Sequence, residues 1–301
     1  MISVVGATGT LGGRIVRGLL EKDKAVRILV RENSPSIELA KMGLATSPDS
    51  LIAAGASAVT GDLTDRASLD AVCEGIHTLI TTANSIKRGA GEQLETVDLQ
   101  GTLNLIEAAK AAGVEHFIYT SVYGSDLNSP NRFVQIKATC EQALKQSGMT
   151  WTILNPGVFP EIWAGMVIGI PLQAGQPITL IGQGDHRHSL ISEADVAAFA
   201  VAAVDNPASR NVHIEIGGPS VSWTEIVKTA GEAMGMALPV NYLPLDSSVP
   251  LLDPMVGEFF NGMETYESFI NMGETGSLYG VELTPLPAVM QQMFGQEMKV
   301  P

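Results

Sequence analysis

The chain has 301 residues, 45% of them hydrophobic, with 31 Gly, 16 Pro and only two cysteines, Cys73 and Cys140. This composition belongs to a globular protein with a sizeable core and excludes a disordered chain, a fibrous repeat or a disulfide framework. The formal charge of −14 divides into 14 basic and 16 acidic residues up to position 150, then 4 and 16, so there is no basic surface to hold a nucleic acid.

In chain order, Ile2–Val5 is an apolar run that stops at glycines, and Leu11–Leu20 follows with apolar residues at helical spacing (Leu11, Ile15, Leu19). Further strand-like runs are Ala25–Val30, Ala58-Val59 leading into Gly61-Asp62, Thr78–Thr82, Phe117–Thr120 and Thr150–Leu154. Helical patterns separate them at Ser36–Met42, Pro48–Ala54, Ala67–Glu74, Gln93–Ala112 and Arg132–Gln146. Strands alternating with helices predict βαβ units and a doubly wound parallel α/β sheet, with all strand C-termini on one edge. After Asn155-Pro156-Gly157 the pattern loosens and prolines become frequent. Strands are expected at Ile178–Ile181 and Val212–Ile216, one of which returns to the main sheet. Helices are expected at Glu193–Val204, Thr224–Met234 and Met255–Met272. The expected division is a domain over 1–155 and a smaller, irregular, mostly α region over 156–301, built over the sheet edge.

The strongest motif is Gly6-Ala7-Thr8-Gly9-Thr10-Leu11-Gly12, between the first strand and the first helix. Gly6 permits a tight turn, Gly9 lets a pyrophosphate approach the backbone, and Gly12 lets helix and strand pack closely. The amides around Thr8, Thr10 and Leu11, at the positive end of the helix, then face the phosphates. This is the pattern of a dinucleotide cradle; an ordinary turn is the competing reading. The second strand ends at Arg31 rather than at an acidic residue, which favours a 2′-phosphate and hence NADP(H) over NAD(H), with Ser34 and Lys41 as helpers. Asp62, followed by Leu63, is placed beside the adenine, with helix capping as its alternative. Asp65 is read as a helix-start residue. Thr82, Ala83 and Asn84 are small enough for a ribose to lie against their backbone.

Together, Gly6-x-x-Gly9-x-x-Gly12, Leu29-Val30-Arg31, Gly61-Asp62-Leu63, Tyr119-Thr120-Ser121, Lys137 and Asn155-Pro156-Gly157-Val158-Phe159 resemble the NmrA-like branch of the atypical short-chain dehydrogenases/reductases. The resemblance covers nearly the whole chain and weakens after about residue 220. It implies a Rossmann-like fold, with Asn155, Pro156, Val158 and Phe159 passing the nicotinamide. It also implies one of two activities. The first is an NADPH-dependent reductase of quinones, dyes or phenolics; the second is an NADP(H)-sensing regulator that catalyses nothing. A transient use of the cofactor by an isomerase or lyase is a third possibility.

Relatives of the standard type use a Ser and a Tyr–Lys pair one helical turn apart. Here Ser121 and Lys137 are present, but Phe133 stands where the Tyr belongs. Lys137 is read as a catalytic group, against the alternative of an exposed lysine paired with Glu141. Tyr123 is the nearest phenol able to replace the lost donor. The missing Tyr favours a conjugated or quinoid acceptor, whose reduced anion water can protonate. Phe159, Trp163, Met166, Phe259, Met263 and Tyr266 are the candidate pocket for a flat, apolar, neutral or cationic substrate, although core packing is the simpler reading of each alone.

Asp185-His186-Arg187-His188 is read as a polar loop, with no metal site of standard spacing. Asp195 is given a structural role in the first turn of its helix. His77, His116 and His213 show no partner in the sequence. Met1–Gly6 carries no basic-then-apolar leader, and the longest apolar stretch, Val196–Val204, is too short to cross a bilayer. A cytoplasmic protein without a membrane partner is therefore expected; its oligomeric state is not specified by the sequence.

Overall fold

The computed structural model describes residues 1–32, 40, 45–85 and 93–295, except the side chain of Met255. Apart from Ala40, the helix expected over Ser36–Met42 lies outside these residues, as do Ser34 and Lys41. The chain forms two compact units. One comprises Met1–Pro156, Val196–Glu215 and Ser277–Val281; the other comprises Gly157–Asp195, Ile216–Gly276 and Glu282–Pro301.

The first unit begins with β1 (Ile2–Val5), α1 (Thr10–Leu20), β2 (Val26–Val30), α2 (Pro48–Ala53), β3 (Ser57–Thr60), α3 (Arg66–Cys73) and β4 (Thr78–Thr81). A π-helical stretch, Leu94–Gly101, then runs into α4 (Thr102–Ala111), followed by β5 (His116–Thr120), α5 (Arg132–Gln146) and β6 (Thr150–Pro156). Helix α1 forms because Leu11, Ile15, Val16 and Leu19 make one buried stripe. Helix α3 starts at Asp65, whose carboxylate accepts from the amides of Ala67 and Ser68, the role the sequence assigned to it. Asn131 caps α5 in the same way, accepting from the Val134 amide. β1, β4 and β5 read as apolar runs because both faces of the sheet are covered there, whereas edge strand β3 is largely exposed.

The later elements are α6 (Pro160–Ala164), continued by a π-helical turn at Gly165–Gly169 and α7 (Ile170–Gln173); β7 (Ile178–Ile181); β8 (Arg187–Ser189); α8 (Glu193–Asp205); β9 (Val212–Ile216); β10 (Ser220–Ser222); α9 (Trp223–Met234); β11 (Val240–Leu243); α10 (Pro254–Met263); α11 (Thr275–Tyr279); and α12 (Leu286–Phe294). The main sheet has the order β3-β2-β1-β4-β5-β6-β9, so Val212–Ile216 is the strand that returns. Ile178–Ile181 instead pairs in parallel with β11, and β8 pairs antiparallel with β10. The strand order reverses between β1 and β4, which both lie in the middle of the sheet. Crevices at such a reversal are where doubly wound sheets hold ligands.

The core of the first unit is a cluster around Val5, Leu79, Leu105, Phe117, Ile136 and Ile153. At roughly 1.5–3 kcal/mol for each large apolar side chain fully buried, this cluster is what holds the sheet edge rigid. Both cysteines lie buried as free thiols, and burial pushes Cys73 to about 12 and Cys140 to about 11, so neither is a reactive thiolate.

The second unit departs from the expectations in two places. The helix expected to reach Met272 ends at Met263. The segment beyond it lies along β8, with the Ser268 amide donating to Arg187 and the Ser189 amide to Ser268. The expected polar loop at 185–188 is a strand from Arg187 onward, and His188 is buried, its Nε2 2.8 Å from the Met263 carbonyl. Three-residue strands such as β8 and β10 leave too short a period to read. Helix α9 starts at a full capping box formed by Ser222 and Glu225, and Gly235 (φ +68°) ends it. Asp195 does act structurally, accepting from the amide and hydroxyl of Thr284 at 2.8 and 2.7 Å. Among the described residues no helix is long and apolar enough to cross a membrane.

Candidate active site

The cradle is built at the reversal between β1 and β4. Gly6 has φ +92°, and a Cβ there would meet Thr82 Oγ1 at 2.7 Å and the Ala83 amide at 2.8 Å. Only glycine allows the turns after β1 and β4 to approach this closely. A Cβ on Gly12 would collide with the Gly6 carbonyl, so Gly12 sets how near α1 packs to the turn. Gly9 is the N-cap of α1, without a side-chain cap and with no acidic residue in the first turn. An anion is favoured at such a helix N-terminus. Thr46, which the sequence did not suggest, braces this turn: its amide donates to the Thr8 carbonyl at 2.9 Å and its hydroxyl to the Gly9 carbonyl at 3.3 Å. Thr8 and Thr10 are half-buried, and Leu11 is buried, so any part it plays at the cradle falls to its backbone.

At the ends of β2 and β3, Arg31 Nε lies 3.7 Å from Asp62 Oδ2, with about a fifth of Arg31 and a quarter of Asp62 exposed. Asp62 Oδ1 accepts from the Thr64 amide and hydroxyl at 2.8 and 2.7 Å. Leu63 is 2% exposed in the core, so its side chain is a packing group. After β4, Thr82, Ala83 and Asn84 are half-buried, with Thr82 Oγ1 donating to the Gly6 carbonyl at 3.4 Å.

Lys137 is 4% exposed, which removes the reading of a solvated helical lysine. Its ammonium donates to the Thr120 carbonyl at 3.0 Å and lies over the Tyr119 and Phe133 rings at 4.9 and 5.4 Å. Burial pushes Lys137 below the ordinary lysine range, against the opposing pull of Asp98, Cys140 and Glu141.

Glu141, one turn further along α5, is 4% exposed. Its Oε1 accepts from the hydroxyls of Ser121 and Ser125 (2.7 Å for Ser125) and from Asn155 Nδ2 at 3.0 Å. Asn155 also donates to the Val122 carbonyl at 2.9 Å, and its Oδ1 faces His213 Nδ1 at 2.8 Å. Ser121 and Asn155 are therefore locked onto a buried carboxylate. The Ser121 proton is committed to Glu141, leaving that hydroxyl as an acceptor.

Tyr123 is half-exposed. The Ser121 and Tyr123 amides donate to the Leu154 and Pro156 carbonyls, so the extended ladder runs on past Thr120 and both side chains lie on the same side. Asp98, on the π-helical stretch, accepts from the Ser85 amide at 3.1 Å. Such wide turns are frequent at functional sites. Glu141 was detectable as the same-face neighbour of Lys137; Asp98 and Thr46 carry no signal at all.

In the second unit, Val158 pairs with Leu190, its amide donating to Ser189, and half-buried Phe159 precedes the first turn of α6. Trp163 stacks on Phe260 (centroids 6.3 Å apart) and meets Trp223 edge-on, while Met263 is 5% exposed. Both belong to the core of this unit. Phe259 and Met166 are half-buried, and Tyr266 is 53% exposed with its ring edge-on to His188. An open groove of about 550 Å³ runs along α9, lined by Val227, Gly231 and Leu238, and shares no residue with the expected substrate set.

A parallel sheet reversing at a glycine cradle, with buried Ser121 just after the neighbouring strand β5 and buried Lys137 on α5, is a doubly wound sheet of Rossmann type. The chain belongs to the NmrA-like family, whose model matches residues 1–294. It is 30% identical to the NAD(P)H azoreductase of Xenophilus azovorans, over 81% of this chain and 77% of that one. It is 29% identical to the photosystem II assembly factor Ycf39 of Trieres chinensis, over 80% and 72%. Among solved structures, the NADPH-dependent quinone oxidoreductase of Escherichia coli complexed with NADPH superposes with a TM-score of 0.73 at 25% identity, covering 98% of this chain and all of that one. The protein is an NAD(P)H-dependent oxidoreductase and binds NADP(H).

Proposed function

We propose that this reductase passes hydride to a small, flat, conjugated acceptor of the quinoid or aromatic azo class. The observation that carries the proposal is the absence of a standard proton donor around Lys137. Phe133 occupies the position of the phenol, and the Ser121 proton is held by Glu141. A simple ketone needs a proton as its alkoxide forms; a quinone or another conjugated acceptor yields a delocalised anion that water protonates afterwards.

The residues fit a bound dinucleotide, because a Cβ at Gly6 or Gly12 would fill the space the turn requires and the N-cap of α1, Gly9, has no side chain to cap the helix. NADPH, when bound, supplies the hydride. Lys137 then contributes a positive potential at the end of β5 that favours the anionic product, and it gives up its own proton more readily than a surface lysine.

Arg31 is the residue we assign to the 2′-phosphate. A partly exposed pair such as Arg31–Asp62 is worth about 0–1 kcal/mol, so the guanidinium can change partners at small cost. Asp62 Oδ2 is then released toward the adenine amine, and Asn84, Asn155 and Pro156 border the rest of the cofactor. In the second unit Phe159, Met166, Phe259 and Tyr266 are the groups we assign to substrate; Trp163 and Met263 support them from the core.

Steady-state oxidation of NADPH with a panel of quinones, azo dyes and simple ketones tests this reading. Turnover with conjugated acceptors and none with ketones is expected; equal turnover of ketones would overturn it. The likeness to a photosystem II assembly factor favours a second reading, a cofactor sensor that docks on another protein. Silence across the whole panel, together with a partner whose affinity follows NADPH, would establish that one instead.

A further inference from the structure

The second unit carries a cluster that plays no part in hydride transfer. Asp185, His186 and Glu264 each direct one ligand atom into a common space, all within 4.8 Å of one another. His186 Nδ1 lies 3.4 Å from Glu264 Oε2 and 3.8 Å from Asp185 Oδ1. Glu264 is 3% exposed, and its Oε1 has no hydrogen-bond partner among the described residues; His186 Nδ1 has none either. Glu264 Oε1 and His186 Nδ1 are thus buried atoms without a hydrogen-bond partner among the described residues, and Nδ1 lies beside the other carboxylate oxygen, Oε2. Burying such groups unpaired is costly, and buried charges are ordinarily paired or bound to a metal.

We propose that Asp185, His186 and Glu264 form a binding site for a borderline divalent cation of the Zn²⁺ type. Metal–ligand bonds of about 2.0–2.2 Å place tetrahedral ligands about 3.3–3.6 Å apart. The separation of His186 from Glu264 already matches, and exposed Asp185 needs to move only slightly. One imidazole and two carboxylates suit a borderline ion better than Mg²⁺, which keeps oxygen ligands and most of its water. Three protein ligands leave further positions to solvent. The ion would tie the turn after β7 to the end of α10. A Cβ on Gly182 would lie 3.4 Å from Glu264 Oε2, so that turn already wraps the carboxylate. The sequence reading missed the site because Glu264 is far from the Asp185-His186 pair, and no short motif joins them.

The test is a titration of chelator-stripped full-length protein with Co²⁺ in excess Mg²⁺, which occupies diffuse acidic sites. The expected result is one equivalent of Co²⁺ with visible ligand-field bands, displaced one for one by Zn²⁺. In Glu264→Gln and in His186→Ala the affinity should fall more than about 100-fold, beyond what loss of an outer-shell partner costs. Zn²⁺ should also raise the melting temperature of the wild-type protein but not of His186→Ala. His186 is half-exposed, so that variant keeps the test decisive if Glu264→Gln folds poorly. A Co²⁺ spectrum unchanged from the aquo ion, or bands that survive in His186→Ala, would overturn the site.

Discussion

The two units bury different things. The first encloses charged and polar groups beside its sheet edge: Lys137, Glu141, Asp98, Ser121 and Asn155 are each 4% exposed or less. The second encloses aromatics against one another, with Trp223 and Phe260 at 4.9 Å and Trp163 stacked beside them. Buried ionisable groups lower the stability of the unit that carries them unless a network satisfies them, so their presence marks chemistry. A buried aromatic cluster is explained by packing alone. The contrast links hydride chemistry to the first unit; in the second the aromatics supply shape, and buried Glu264 belongs to the separate cluster with Asp185 and His186.

The largest effect that would break this contrast is at Lys137. Lys137→Met should lower turnover about 10²–10⁴-fold while the protein stays folded and NADPH affinity holds, as single-turnover kinetics and calorimetry would show. The folded protein holds the Lys137 proton less tightly than the unfolded chain does. The resulting penalty is complete below the folded pKa and is relieved as pH climbs toward the unfolded value, so that alkaline gain should vanish in Lys137→Met. Phe260→Ala makes the complementary change: about 3–5 kcal/mol of stability lost in urea unfolding, with cofactor affinity unaltered. An equal loss of NADPH binding would mean that the second unit is not merely shape.

A smaller effect sits at His116, which is 1% exposed and is pushed down to about 3 by burial. The unfolded chain binds this proton near pH 6.5, so stability should fall as pH drops from 6.5 toward 3. Between pH 7 and pH 5, His116→Gln should lose about 2 kcal/mol less than the wild type. Equal losses would refute the burial argument. The smallest effect is at Arg31: Arg31→Ala should weaken NADPH binding about tenfold, near 1.4 kcal/mol, and leave NADH untouched.

What the sequence revealed followed from period and punctuation. Gly6, Gly9 and Gly12 stand between a strand and a helix with clear spacing, and the strand positions up to β6 repeat the same alternation. Lys137 was singled out, yet its burial was invisible, because one lysine on an amphipathic helix reads the same on either face. Glu141 and Asn155 meet only after β5, α5 and β6 assemble. On α10 the spacing of Phe259, Met263 and Tyr266 suggested one face, but the helix ends at Met263, and Phe260 joins Met263 in the core while Phe259 stays half-buried. Long parallel units declare themselves in sequence; short strands, such as β8 and β10, are settled by tertiary pairing.

The central claim is that the uncapped start of α1 holds the cofactor's diphosphate, and Gly9→Asp separates that claim from folding. Gly9 has an ordinary backbone conformation (φ −72°), and aspartate is a favoured N-cap, so the variant should melt at or above the wild-type temperature. Its carboxylate would occupy and repel the phosphate position. Calorimetric titration with NADPH should then show heat of binding in the wild type and none in Gly9→Asp; undiminished binding in the folded variant would contradict the account.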